Sequence, residues 1–229
     1  MGHVMELNPH ETVDCGLLFH PQLYDYNEIA YLKKNCAEGD VFFDVGANIG
    51  FYSLMASDLV GESGRVVAVE ADPAVFQSLR GNIRRNNVAN VTAVNNGASS
   101  ENEVLELCLN TEGNSGGNTF LPDHSAPDAR TVPVACKPLA EIQRAVGVRK
   151  IDGMKIDIEG MEFRVLKKYF ETISVDLYPK FIIIEHNPEW NQKAGGDAVD
   201  LLSLNGYRIH KKTHYNYIMA FSGTGEEMS

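Results

Sequence analysis

Short apolar runs that end on a carboxylate or a turn alternate along this chain with segments whose apolar residues recur every three or four positions. Val41–Val45 (VFFDV) reads as a buried strand, and Phe51, Leu54, Met55 and Leu59 then follow at helical spacing over 48 to about 59. Arg65–Glu70 is a second strand. Asp72-Pro73 opens a helix to about 86, because Asp suits the cap and Pro the first turn. Val91–Asn95 is a third strand. From about 100 to 135 the pattern changes. Residues 104–109 alternate, 113–117 are glycine-rich and 131–135 are apolar, which predicts an inserted β-hairpin or meander. A helix at 138–146, a strand at 153–157, a helix at 160–169 and the most apolar strand, Phe181–Glu185, follow. A helix near 197–204 and a hairpin of 207–210 with Asn216–Phe221 close the chain.

Strand–helix alternation of this kind predicts an α/β sheet of mainly parallel strands, with one antiparallel strand from the closing hairpin. Residues 1–38 hold an expected strand at 13–19 and a helix at 26–36. They read as a lid or edge on a core of 39–229, the whole forming one domain.

Composition narrows the choice. A net charge of −11 argues against nucleic acid or an anionic membrane surface as the main partner. Cys15, Cys36, Cys108 and Cys136 are scattered without C-x-x-C spacing, which fits reduced thiols rather than a zinc site. The N-terminus lacks a basic and then apolar leader, and no apolar run is long enough to span a bilayer, so a cytoplasmic protein is expected.

The first strand leaves on Asp44 and turns through Gly46, Ala47, Asn48 and Gly50. Glycines there let a ligand approach the backbone, and Glu70, at the end of the second strand, is placed to accept from two ribose hydroxyls. A dinucleotide turn needs a further glycine, and the carboxylate of Asp44 would repel phosphates but suits an ammonium. S-adenosylmethionine carries an ammonium and no phosphate. An NAD-dependent oxidoreductase is the alternative, since Glu70 would hold a ribose there too.

DVGANIGFYSL at 44–54, VVAVEADPAVFQSLRGNI at 66–83 and IDGMKIDIEGMEFRVLKK at 151–168 resemble the FkbM-type S-adenosylmethionine-dependent methyltransferases. The resemblance implies the class I methyltransferase fold, a Rossmann-like seven-stranded sheet in the order 3-2-1-4-5-7-6, and O-methylation of a hydroxyl on a small molecule or glycan. It places Asp44, Gly46, Ala47, Asn48 and Gly50 at the methionine end, and Glu70 on the ribose. Ala71 and Asp72 would lie beside the adenosine, and Asn96, Gly97 and Ala98 would border the adenine. Asn95 or Asn96 could equally be a turn former. A methyltransferase-fold binding protein without activity is a further alternative.

The reacting groups belong at the carboxyl ends of the strands that finish at Asp157 and Glu185. Lys155, Asp157 and Glu159 share one face while the strand continues. Lys155 in a central strand needs a partner, and Asp44 and Glu185 are at the right level. Asp157 has two readings, cofactor contact or general base. Glu159 begins the turn Glu159-Gly160, and a cap of the next helix is its alternative reading. His186 reads as a general base or as a polar strand end. Asp157 and Glu185 with His186 or Asn187 form the oxygen-rich set that magnesium would need; the ion is possible but not expected. Trp190, Tyr24, Tyr26, His124 and the 113–117 loop could shape a substrate mouth.

Overall fold

The structure, a computed structural model, describes residues 2–110, 113–121 and 130–223. After two N-terminal helices, α1 (Thr12–Phe19) and α2 (Tyr26–Asn35), the chain alternates β1 (Val41–Val45), α3 (Phe51–Val60), β2 (Arg65–Glu70), α4 (Pro73–Arg85) and β3 (Val91–Asn95). Then come β4 (Gly97–Ser99), β5 (Glu103–Cys108), β6 (Thr131–Pro138) and α5 (Leu139–Ala145). The chain closes through β7 (Gly153–Ile156), α6 (Glu162–Thr172), β8 (Phe181–Glu185), α7 (Pro188–Ala194), α8 (Ala198–Leu204), β9 (Tyr207–Lys212) and β10 (Asn216–Phe221).

The main sheet runs β3-β2-β1-β7-β8-β10-β9, with β10 antiparallel to both its neighbours. Counting only the strands of this sheet, the order is 3-2-1-4-5-7-6, the one the family resemblance implies. The inserted strands form a second sheet, β4-β6-β5. The expected hairpin is its β5–β6 pair, and the short β4, entered straight from β3, adds a parallel strand to it.

Alternation along the buried strands divides the core between two faces. Phe43, Val45, Val67, Ile156, Ile182 and Met219 pack with α6 and α8, whereas Phe42, Val66, Phe181, Ile183 and Ile218 pack with α2 and α3. Helix α4 starts where Asp72 Oδ1 accepts from the amides of Ala74 (2.7 Å) and Val75 (3.3 Å). No helix of the described residues is long and apolar enough to cross a membrane.

Two local expectations are corrected. Residues 13–19 are helix α1, not a strand: the buried positions are Asp14 and Leu17, three apart, and the Asp14 carboxylate accepts from the amide of Asn8 (2.7 Å). Helix α7 was not expected. Its signal is Asn187-Pro188, the same cap-then-proline pair as Asp72-Pro73, with Asn187 Oδ1 accepting from the Glu189 amide (3.0 Å).

Candidate active site

A cavity of about 690 Å³ lies along the carboxyl ends of β1, β2, β7 and β8. Its first half is built by the turn after β1. Gly46, Asn48 and Gly50 all take positive φ (80°, 48° and 93°). The turn is held to β2 by the amides of Gly46 and Ala47, both donating to Val69 O at 2.9 Å. At Gly46 a side chain is excluded outright, because a Cβ would lie 1.8 Å from the carbonyl oxygen of Asp157. The glycine thus lets β1 and β7 close together under the cavity floor.

Glu70 braces this turn. One carboxylate oxygen accepts from Asn48 N and the other from Asp72 N, each at 2.8 Å. Burial pushes its carboxyl up to about 7, against the lowering effect of those two amides. Each oxygen keeps a second acceptor position for a ligand hydroxyl. We expect Glu70→Gln to weaken S-adenosylhomocysteine binding at least tenfold while costing about 1 kcal/mol of stability, because one amide loses its acceptor. Calorimetric titration beside a urea melt checks both; unchanged affinity would remove Glu70 from the ligand site.

Asp44 is buried beneath the turn. Its Oδ2 accepts from Ser53 Oγ (2.6 Å), and Oδ1 has no hydrogen-bond partner among the described residues. Asn48 Oδ1 is likewise buried and unpartnered. Two free acceptors at this end of the cavity suit an ammonium donor, such as the one S-adenosylmethionine carries.

Of the residues expected to hold a cofactor, Asp44, Gly46, Ala47, Asn48, Glu70, Ala71, Asn96, Ala98 and Asp157 line the cavity. Three stand behind it. Gly50 packs against Leu79, and a Cβ on Gly97 would meet Cys136 and Phe120. Asp72 caps α4 and accepts from Asn118 Nδ2 through its other oxygen (2.8 Å). Phe120 and Asn118 also line the cavity and were not anticipated, since only the second sheet brings them there.

The other half of the cavity is acidic. Lys155 Nζ pairs with Asp157 Oδ2 at 2.7 Å, its neighbour two residues along the same strand face, rather than with the expected Asp44 or Glu185. Burial pulls this ammonium down, but Asp157 and Asp44 outweigh it and hold it above its ordinary value. Its Nζ lies 4.9 Å from the centre of the Tyr52 ring, whose hydroxyl donates to Asp25 Oδ2 (2.8 Å). Carboxylate oxygens of Asp157, Glu159 and Glu185 come within 4.8 Å of one another. Glu159, not His186 or Asn187, thus takes the third place beside Asp157 and Glu185, and the Lys155 ammonium already lies against Asp157.

Glu159 does not cap α6, which has no side-chain cap; Glu162, its first residue, instead ties down the turn before it. The Glu162 carboxylate accepts from Ile158 N (2.7 Å) and Gly160 N (3.0 Å), on either side of Glu159. His186 is turned out of the cavity. Its Nε2 lies 2.9 Å from Asp197 Oδ2, and its ring packs on Tyr217, so strand alternation that aims Glu185 inward sends the next side chain to α8. Tyr24, Tyr26 and residues 114–116 line the mouth, Trp190 packs against Gly160 behind it, and His124 lies outside the described residues.

A glycine turn after the first strand, an acidic residue closing the second and a 3-2-1-4-5-7-6 sheet together define the class I methyltransferase fold. The family model of the methyltransferase FkbM domain matches residues 44–209, and the chain belongs to that family. Methyltransferase sdnD of Sordaria araneosa is 27 % identical over 172 residues, covering 62 % of this chain. The chain spans 34 % and 65 % of the lengths of two curated relatives, the second being sdnD. A methyltransferase FkbM from Methylobacillus flagellatus superposes with a TM-score of 0.51 at 17 % identity, over 91 % of this chain and 52 % of the other. A precorrin-6y C5,15-methyltransferase from Geobacter metallireducens gives 0.52 at 17 % identity, over 86 % and 88 %.

Proposed function

We propose that the protein is an S-adenosylmethionine-dependent O-methyltransferase acting on a hydroxyl of a small molecule or glycan. The observation that carries this reading is the unpartnered, buried Asp44 Oδ1 beneath a glycine turn braced by Glu70. S-adenosylmethionine supplies an activated methyl group on a sulfonium. Asp44 and Asn48 would accept from its ammonium and Glu70 from its ribose hydroxyls, with Ala71, Asn96 and Ala98 along the adenine. The acidic half then orients the acceptor hydroxyl, which must approach within about 3 Å of the methyl carbon and lose its proton.

Charge limits the acceptor. Lys155 is the one lysine or arginine among the described lining residues, and it is paired with Asp157. A phosphate or carboxylate near the reacting oxygen would meet uncompensated negative charge, so neutral and cationic hydroxyl acceptors are favoured. The oxidoreductase alternative would set a pyrophosphate against the buried Asp44.

The test is a thermal-shift titration with S-adenosylhomocysteine and, in parallel, NADH. At about 100 times its Kd, a ligand stabilises by roughly 2.7 kcal/mol, a shift of several degrees. A rise with S-adenosylhomocysteine alone is expected, followed by turnover in a screen of neutral and amine-bearing hydroxyl acceptors. A rise with NADH alone would overturn the proposal; binding without turnover would favour the inactive alternative.

A further inference from the structure

A second cleft, of about 300 Å³, lies between α2 and β9, the edge strand of the main sheet. Tyr26 and Asn27 form a rim that it shares with the acidic cavity. The two differ in charge. The cleft presents Lys34, His210 and Lys211 and, among the described residues, no Asp or Glu. In a chain of net charge −11, composition alone would not leave such a surface. Two local features place these groups. Asn27, Tyr31 and Lys34 recur at helical spacing on one face of α2, while Ile29 and Leu32 pack into the core. On β9, Ile209 pairs with Met219 and Lys211 with Ile218, so His210 is an extra residue in the strand. A bulge of this kind breaks the alternation of side chains. The adjacent His210 and Lys211 therefore both line the cleft, where a regular strand would send one to each face. The His210 ring packs on Tyr31, with centroids 4.7 Å apart. Lys211 Nζ donates to Asn27 Oδ1 at 2.7 Å and keeps two further N–H donors. The lysine and arginine ion pairs of the described residues involve Arg85, Lys155 and Lys180, not Lys34 or Lys211.

Resting on the methyl-transfer reading, we propose that this cleft binds a phosphate group of the acceptor, while the hydroxyl to be methylated lies in the acidic cavity. The carboxylates there turn a phosphate away from the reacting oxygen, and the lysines beyond the rim give it a seat. Lys34 and Lys211 supply positive charge, and His210 a ring N–H. The acceptor crosses the rim at Tyr26, which is 65 % exposed. Along α2, Tyr26 and Lys34 are about 12 Å apart at 1.5 Å per residue. The phosphate and the reacting hydroxyl therefore belong at opposite ends of an extended acceptor.

Inorganic pyrophosphate is the probe for the cleft, titrated calorimetrically into the protein with and without S-adenosylhomocysteine. Binding is expected, and the double variant Lys34→Ala/Lys211→Ala should weaken it about tenfold. Lys33→Ala/Lys212→Ala removes the same charge from the same two elements, at residues that do not line the cleft. It should weaken binding less than about twofold. A retained melting shift with S-adenosylhomocysteine shows that each variant is folded. Once the screen yields an acceptor, a derivative with a phosphate remote from the methylated hydroxyl separates the sources of the anion. Lys34→Ala/Lys211→Ala should raise the KM of that derivative about tenfold and change its kcat less than about twofold. Absence of pyrophosphate binding, or equal weakening in both double variants, would overturn the site. A pyrophosphate site with a KM indifferent to Lys34 and Lys211 would overturn its assignment to the acceptor and leave a site for free phosphate. A wild-type protein that ignores S-adenosylhomocysteine would remove the methyl-transfer reading, while the titration without that ligand still reports on the cleft.

Discussion

Gly46→Ala is expected to destabilise the protein by about 3 kcal/mol or more and to abolish S-adenosylhomocysteine binding. Two effects add. The residue has φ 80°, where a Cβ costs about 1–2 kcal/mol. The new methyl would also lie 1.8 Å from the Asp157 carbonyl oxygen, a backbone atom fixed by the strand. Relief requires β1 and β7 to separate at the point where the Asp157 amide donates to Val45 O (3.0 Å). Gly147→Ala is the control. Its φ is 71°, but nothing lies within 4 Å of a Cβ, so it should cost about 1 kcal/mol. Urea unfolding followed through the single tryptophan, Trp190, compares the two. Equal losses would mean that left-handed strain alone, and not the contact between strands, explains the glycine.

Lys155→Met should cost about 3–5 kcal/mol near neutral pH, the usual effect of removing one member of a buried pair. The aliphatic stem is kept, so the loss reports the charge. Asp44, 1 % exposed and opposite Lys155 in the β1–β7 register, would then feel the charge of Asp157 without this counter-ion. Burial already raises Asp44, with Lys155 the leading influence that lowers it. Without the ammonium the Asp44 carboxyl would bind its proton at still higher pH in the folded chain, further above its unfolded value. The deficit should therefore shrink as pH falls from 7.5 to 5. A loss that is the same at both pH values would assign the effect to packing against Tyr52 instead.

Most of the main sheet was legible because its strands are continuous apolar runs between caps and turns. Asp72-Pro73 and the glycines of 46–50 are local signals whose meaning does not depend on distant residues. The Asp44–Gly46–Asn48–Glu70 arrangement was legible for the same reason, since one βαβ unit builds it. The acidic half was read less well. Asp157 and Glu185 were found from their places at strand ends. The outward turn of His186, however, depends on Asp197 and Tyr217, and the placement of Glu159 on Glu162 and Thr119. The partner of Lys155 was missed because neighbours across the sheet were weighed above the residue two positions along the same strand. Asn118 and Phe120 carry no motif and reach the cavity only because β4 diverts the chain into a second sheet.

The N-terminal segment is fastened to the finished molecule by a few polar contacts. Val4 N donates to Asn86 Oδ1 (2.9 Å), Glu6 N to Asn82 Oδ1 (2.8 Å) and Thr12 N to Gly113 O (3.0 Å), while Ser115 N donates to Glu11 (2.7 Å). Thr12 and Val13 stand at the edge of the cavity. Each of these bonds joins residues far apart in the chain, and none of residues 2–12 is fully buried. Contacts of that kind close late in folding and open early in native-state exchange. The amides of residues 4–12 should therefore exchange with deuterium long before those of β1 and β7, with the cavity wall fraying at its N-terminal side while its floor stays shut.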